Sequence, residues 1–247
     1  TWTFLYRRLR LNPNYYNLHG STHRHLSDWL SELVETTLAE LENSHCIIID
    51  EDEQIVSQNL GVIAAFYYTR YTTLELFNDA LTENTKLRGL IDIISNASEF
   101  VEQLPMRHHE EEPLRHLAAH APLRIDKPKY SDPHIKANIL LQAHMSRRRL
   151  PQDLDHDRQL VVQKTVLLLQ AIVDVISTNS WLKPALAAME LSQAIVQGMW
   201  DRDSPLLQLP HFTPELVQRC KAAQVETIED IVDMDDEKRV ELLQMTD

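Results

Sequence analysis

Apolar residues recur along most of the chain at the three- to four-residue spacing of an α-helix. Between residues 22 and 43 they predict a helix with one buried face, and Ser21 or Thr22 can cap its start. Residues 2–11 predict a shorter helix that ends at Asn12, because a residue before proline is disfavoured in the helical conformation. The pattern therefore predicts a mainly α-helical protein.

A short β-type segment interrupts the helices. Three isoleucines at 47–49 precede an acidic turn at 50–53, and apolar residues at 55–56 follow it, which predicts a small β-hairpin. Two helices followed by a small hairpin are the order found in the last part of a winged-helix module.

Helical spacing continues from residue 60 onward. Proline is favoured at the first helical position and predicts helix starts at Pro133, Pro151 and Pro184. Apolar residues lie on nearly every side of the segment 184–200, so we expect it to lie centrally in a helical bundle.

The helical units after residue 206 are shorter and resemble a helix-hairpin-helix domain, with a capping box at Thr227 and Asp230. The predicted fold class is therefore mainly α: a winged-helix remnant with a small β-hairpin, a helical bundle and a short helix-hairpin-helix unit. We expect these parts to occupy residues 1–58, 59–205 and 206–247.

Composition and charge narrow the classes of function. The 247 residues include four glycines and carry a net charge of −13. No GxGxxG or GxxxxGK[ST] segment is present to hold a nucleotide. The acidity disfavours wholesale wrapping of nucleic acid, which depends on Lys and Arg.

We expect a piece of a longer intracellular protein, because the sequence begins with Thr rather than Met. Cys46 and Cys220 have no metal-ligand spacing, which favours a reduced nuclear or cytosolic setting. We find no apolar stretch that approaches the ~18–20 residues of a membrane span, so no membrane contact is expected.

The segment IIIDEDE at 47–53 mimics the strand and acidic box with which helicases hold Mg²⁺. The chain has no upstream phosphate-binding loop, and the run lies between a long helix and a second short strand. We therefore interpret the segment as an exposed acidic turn.

The segment HHEEE at 108–112 offers the densest set of metal ligands. His109, Glu112 and His116 would share a helix face, which is compatible with Zn²⁺, although neighbouring arginines oppose a cation. We favour a helix start with acids in its first turn, stabilised by the macrodipole, and no metal or catalytic site. Arg107 and Glu110 are then expected to be a structural pair.

Two arginine clusters are exceptional in this acidic chain. At a helix end they complement the macrodipole, but they also suit phosphate or an acidic partner. The candidate contact residues are Arg7, Arg8, Arg10, Arg147, Arg148 and Arg149.

Six sequence blocks follow one another along the chain: NLGVIAAFYYTRYTTLELF, GLIDIISNASEF, PMRHHEE, DPHIKANILLQAHMSR, NSWLKPALAAMELSQAIVQGMW and LPHFTPELVQRC. In this order they resemble the Sec63 domain. Residues 1–18 and 23–42 resemble the winged helix that precedes this domain in large DExH-box RNA helicases.

The resemblance implies a fold and a place in a longer protein. Spliceosomal helicases of this family carry two helicase cassettes, and LGVIAAFYY and RHHEEE resemble the second cassette, which is catalytically degenerate. ATP and Mg²⁺ are then expected only in the helicase core of the longer protein, and no cofactor is expected in this chain.

In active cassettes of the family one long helix, called the ratchet, contacts the translocating strand. Its counterpart here is 184–200, which has no Arg or Lys and no aromatic residue before Trp200. Strand contact is therefore not expected from its polar residues, which include Glu190, Gln193 and Gln197.

The resemblance implies a non-catalytic, regulatory and protein-interaction region of a spliceosomal RNA helicase that unwinds paired U4 and U6 small nuclear RNAs. Expected partners, in the nucleus, are the rest of the helicase chain and splicing-factor proteins of the ribonucleoprotein, with RNA contact weak or indirect. Two alternatives stay open: a strand-guiding module of an active cassette, and a protein-translocation relative of the same domain, against which the winged helix argues.

Overall fold

The computed structural model describes residues 2–20 and 22–244 and divides into two compact units, residues 1–79 and 80–247. The prediction of a mainly helical fold with one small hairpin is confirmed. The division into three parts at residues 58 and 205 stays a prediction.

The first unit is built on two packed helices. Leu9 of the first helix is buried against Leu26 and Leu30 of the second. Thr22 caps the second helix by accepting a hydrogen bond from the His25 N–H, whereas Ser21 lies outside the described residues. The elements are α1 (Trp2–Leu11), α2 (His23–Asn43), β1 (Ile47–Ile49), β2 (Ile55–Ser57), α3 (Asn59–Tyr67) and α4 (Tyr71–Ala80).

The predicted apolar face of α2 is buried only in its first half. Leu26 and Leu30 lie in the core, but Leu33 and Val34 are exposed. Periodicity identifies a face of a helix, yet it does not say how much of that face finds a partner. The antiparallel hairpin forms as expected, with Ile48 opposite Val56.

The second unit is a helical bundle followed by short helices. Its 3₁₀ turns span His108–Glu110 and Pro205–Gln208. Its helices are α5 (Leu87–Ser95), α6 (Glu99–Gln103), α7 (Glu111–Ala119), α8 (Pro133–Met145), α9 (Gln152–Thr178), α10 (Leu182–Gln197), α11 (Pro214–Ala222), α12 (Ile228–Val232) and α13 (Asp236–Leu243).

The central helix of the bundle is α8, not the segment 184–200 as expected. It packs against α5, α6, α7, α9 and α10, and most of its residues are buried. The polar residues of α8 suggested a helix that is partly exposed. They can be buried because each forms a hydrogen bond or an ion pair inside the bundle. Asn138 donates to Asp92 at 3.1 Å, and Gln142 exchanges hydrogen bonds with the backbone of Leu123 at 2.8 and 3.0 Å.

The 27-residue helix α9 is long and apolar enough to cross a membrane by length and composition alone. The expectation that no stretch approaches this length was therefore wrong. A core helix of a bundle passes the same test, and α9 packs against α8 and α10 and buries the carboxylate of Asp157.

The short helices after residue 206 have their own apolar cluster, which includes Leu206, Phe212 and Cys220. The predicted capping box is confirmed, since Thr227 accepts from the Asp230 N–H and Asp230 accepts from the Thr227 N–H.

Gly61 on α3 lies against the backbone of Cys46, the residue before β1. A Cβ atom at this position would lie 2.2 Å from the Cys46 carbonyl oxygen, so Gly61→Ala forces the backbones apart. We expect a loss of about 1–3 kcal/mol in the free energy of unfolding, measured by urea titration.

Gly89→Ala is the matched control, because it is also in a helix but its Cβ would meet only a side-chain methyl group, that of Thr85, at 3.3 Å. Its stability should stay within about 1 kcal/mol of the unsubstituted chain. Equal losses in the two variants would contradict the close approach.

Candidate functional site

The histidine- and glutamate-rich segment begins a helix. His108–Glu110 form a 3₁₀ turn, and Glu111 and Glu112 occupy the first turn of α7. Glu110 points inward and is buried, whereas the two following glutamates are exposed. The interpretation as a helix start with acids in its first turn is confirmed.

Glu110 belongs to a buried charge cluster of four residues, of which the sequence predicted only Arg107 and Glu110. Lys136 of α8 and Asp157 of α9 complete it, and both are fully buried. The ammonium group of Lys136 donates to Glu110 Oε2 at 2.5 Å, to Asp157 Oδ2 at 2.6 Å and to the Pro105 carbonyl at 2.7 Å. An ammonium group has three protons, so each finds one acceptor.

Arg107 closes the cluster from its partly exposed side. Its guanidinium donates twice to Asp157, at 2.6 and 3.2 Å, and also to the Glu110 carboxylate. The structure thus brings Arg107 and Glu110 together, as the sequence suggested. With two cations and two anions, the cluster is neutral, and it joins the turn before α7 to α8 and α9.

The pKa shifts of Asp157 and Arg107 favour a structural role over acid–base chemistry. Burial raises the pKa of Asp157, but hydrogen bonds from Arg107 and Lys136 outweigh it and leave that pKa below its ordinary value. Hydrogen bonds to Asp157 and Glu110 raise the pKa of Arg107. General acid–base catalysis needs a pKa near the working pH, and both of these groups move away from it.

The metal ligands considered in the sequence are not brought together. His109 precedes α7 and lies 3.6 Å from Asp153, Glu112 pairs with Arg115, and His116 stacks on a neighbouring histidine ring. The helical spacing fails because the 3₁₀ turn takes His109 out of the helix register. Within residues 2–20 and 22–244, no three His, Cys, Asp or Glu side chains are placed to hold a metal ion.

The acidic run after β1 is confirmed as an exposed turn. Asp50 Oδ1 accepts hydrogen bonds from the backbone N–H groups of Asp52, at 3.0 Å, and Gln54, at 2.7 Å. One carboxylate is thereby used to close the turn itself.

The structure separates the arginines of the second cluster. Arg147 is anchored by backbone carbonyls: its Nε donates to Gly198 at 2.8 Å, and a terminal nitrogen donates to Gln197 at 3.2 Å and Leu207 at 2.8 Å. Arg148 and Arg149 are exposed. Contacts of these residues with nucleic acid or a partner stay predictions.

The first cluster lies on the outer face of α1. Arg7, Arg8 and Arg10 are exposed, and the Arg8 guanidinium lies 5.2 Å from the centre of the exposed Phe4 ring. Arg8 and Arg10 also occupy the last turn of the helix, where they complement the macrodipole.

The counterpart of the ratchet helix starts earlier than expected. Because α10 begins at Leu182, it includes Lys183, so the helix is not free of basic residues. Glu190, Gln193 and Gln197 are exposed and line one groove with Trp200.

An exposed apolar stripe on α10 was not recognised in the sequence. Its members recur at 4-3 spacing, with Gln193 completing the row, and this spacing was the signal that could have revealed it. The exposed fractions are 71% for Leu182, 50% for Leu186, 46% for Met189 and 64% for Val196.

Two known domain families match this chain. A model of the Sec63 Brl domain matches residues 57–239, and a winged helix-turn-helix domain matches residues 1–51. The chain belongs to the Sec63 Brl domain family. The family match covers α3 to α12 entirely.

Several relatives of the chain are RNA helicases by name. It is 56% identical over 247 residues to the U5 small nuclear ribonucleoprotein 200 kDa helicase of Homo sapiens and 54% identical over 252 residues to that of Drosophila melanogaster. It is 52% identical over 250 residues to the DExH-box ATP-dependent RNA helicase DExH12 of Arabidopsis thaliana. All of the chain is covered in each case, but it spans only 12% of each relative.

Lys136→Met tests the dependence of the bundle on the charge cluster. The substitution leaves two buried carboxylates with Arg107 alone, and breaking a buried pair in this way costs about 3–5 kcal/mol. Urea titration should show this loss of unfolding free energy. Lys183→Met, at an exposed position of α10, should change it by no more than about 0.5 kcal/mol, and a similar small change for Lys136→Met would contradict the structural role.

The pH dependence of stability follows from Asp157. Because its pKa is lowered in the folded chain, the stability it contributes is full above the ordinary Asp pKa of about 4 and is lost as the pH falls through the lower folded value. The unfolding free energy should therefore fall more steeply below about pH 5 in the unsubstituted chain than in Asp157→Asn. Asp126→Asn, at an exposed carboxylate, should keep the unsubstituted slope, and equal slopes in all three proteins would be inconsistent with this assignment.

Proposed function

We propose that this chain is a regulatory and protein-interaction region of a large spliceosomal RNA helicase. In this proposal, ATP-dependent unwinding of paired U4 and U6 small nuclear RNAs takes place elsewhere in the longer protein, in the nucleus. The family match, the names of the relatives and the small share of each relative that the chain spans support the proposal.

The exposed face of α10 is the main observation in favour of a protein-interaction role. A helix that tracks a nucleic-acid strand needs positive charge for the backbone and aromatic rings for the bases. The exposed face instead presents the apolar stripe of Leu182, Leu186, Met189 and Val196, flanked by amides and one carboxylate, and its one basic residue is Lys183 at the start of the helix. Such a face suits an apolar protein surface, in the rest of the helicase chain or in a splicing factor.

The turn between α11 and α12 also favours a protein partner over a nucleic-acid strand. A hairpin that grips phosphate needs free backbone N–H groups. Here the N–H groups of Glu226 and Thr227 already donate to the Asp230 carboxylate at 2.9 and 2.8 Å. These hydrogen bonds lower the pKa of Asp230. Because its carboxylate already accepts from both N–H groups, it occupies the place that a phosphate would need.

A strand-guiding module is the second candidate, and α1 favours it. Arg7, Arg8 and Arg10 are exposed beside Phe4, and the sequence contains no acidic residue before Asp28. Arginine and aromatic side chains together suit a single strand. The two candidates therefore differ in which helix meets the ligand and in what that ligand is.

RNA binding tests the first candidate. At ~150 mM salt, the chain should bind single-stranded RNA more weakly than about 1 µM, with a shallow dependence on salt, in a fluorescence anisotropy titration. Sub-micromolar binding with a steep salt dependence, lost when Arg7, Arg8 and Arg10 are changed to Glu, would establish the strand-guiding module instead.

A second arm of the same experiment uses the apolar stripe. Leu186→Glu with Val196→Glu should reduce recovery of the U5 ribonucleoprotein on the immobilised chain, because charges on both residues oppose an apolar partner. Glu190→Gln is the control on the same helix and should retain recovery. Full recovery with the doubly charged variant would argue against α10 as the protein-binding surface.

A further inference from the structure

A pocket in the second unit concentrates positive charge in an acidic chain. It has a volume of about 580 Å³ and lies between the loop after α8, the first turns of α9 and the end of α10. Its lining includes four arginines and one carboxylate, that of Asp155, whereas the whole chain carries −13. A cleft lined by one sign of charge concentrates ions of the opposite sign.

The four arginines of the pocket differ in their partners and in their exposure. Arg147 forms one wall and is held by the carbonyls of residues 197, 198 and 207. Arg158 pairs with Asp155 at 2.8 Å, and its Nε is buried without an acceptor among the described residues. Arg148 and Arg149 are exposed and have no ion pair within the described part of the chain, so their guanidinium groups are available to a ligand.

His144 orients this arrangement without adding charge. A backbone carbonyl can only accept and a guanidinium can only donate, so Nε2 donates to the Ile195 carbonyl at 2.7 Å and Nδ1 accepts from Arg158 at 3.2 Å. Burial lowers the pKa of His144, and the charges of Arg158 and Arg147 lower it further, despite the opposing hydrogen bond to Ile195. The neutral imidazole therefore fixes Arg158 in the pocket wall.

The excess of three positive charges favours a dianion over a singly charged group. Guanidinium groups match phosphate oxygens with paired N–H donors, and such charge-assisted hydrogen bonds are among the strongest in proteins. A nucleic-acid strand fits less well, because His144 is the only aromatic ring in the lining and both of its nitrogens are occupied.

We propose that this pocket binds a phosphate monoester, through Arg148 and Arg149 with Arg158 behind them. The group is carried either by a phosphorylated serine or threonine of a partner or by a small phosphorylated molecule. The lining of this pocket includes no residue of the α10 stripe, and the proposal does not depend on the protein-binding role proposed for that helix.

Inorganic phosphate is the first probe, added to the complete ¹⁵N-labelled chain at constant ionic strength and observed through the arginine Nε–Hε resonances. We expect saturable shifts of pocket resonances, and about tenfold or greater weakening in Arg148→Gln with Arg149→Gln. Arg115→Gln with Arg124→Gln is the control, since both arginines are exposed in the same unit, and it should leave the affinity unchanged.

Three ligands then compete with the bound phosphate: a peptide with one phosphoserine, its unphosphorylated form and a single-stranded RNA octamer. Stronger competition by the phosphopeptide than by free phosphate identifies a partner segment as the source, and equal competition identifies a small molecule. Shifts that do not saturate, equal affinity in the pocket variant, or displacement by RNA at lower concentration than by either phosphate ligand would overturn the proposal.

Discussion

The second unit depends on a neutral group of four charges buried where the turn before α7 meets α8 and α9. Lys136 donates to Glu110 and Asp157, and Arg107 donates to the same two carboxylates. Removing any one member leaves the buried group with one uncompensated charge, which costs more than the complete group contributes. The cluster therefore specifies how these segments dock.

The same principle explains why α8 can be the centre of the bundle. Its buried Asn138 and Gln142 complete their hydrogen bonds with neighbouring segments, so polar positions do not force the helix to the surface. Because α8 occupies the centre, α10 packs against α8 and α9 with one face only, and its apolar stripe is exposed to solvent. The surface offered to partners is thus a result of how the interior satisfies its polar groups.

Local rules predicted much of this fold. Proline marked the starts of α8 at Pro133 and of α9 at Pro151, although α10 begins two residues before Pro184, and the capping box at Thr227 appeared as expected. Long-range contacts were harder to predict: Lys136 and Asp157 are 21 residues apart, and no spacing pattern in the sequence links them. Periodicity also misplaced the centre of the bundle, because an apolar face is equally consistent with a core and with an interface.

The charge cluster also limits how this sequence can diverge. A core leucine can be exchanged stepwise for a similar apolar residue at small cost, whereas each single change at Arg107, Glu110, Lys136 or Asp157 passes through an intermediate with an unpaired buried charge. These four positions are therefore expected to be inherited together or replaced together. A search for remote relatives gains more from this linked set than from the apolar positions around it.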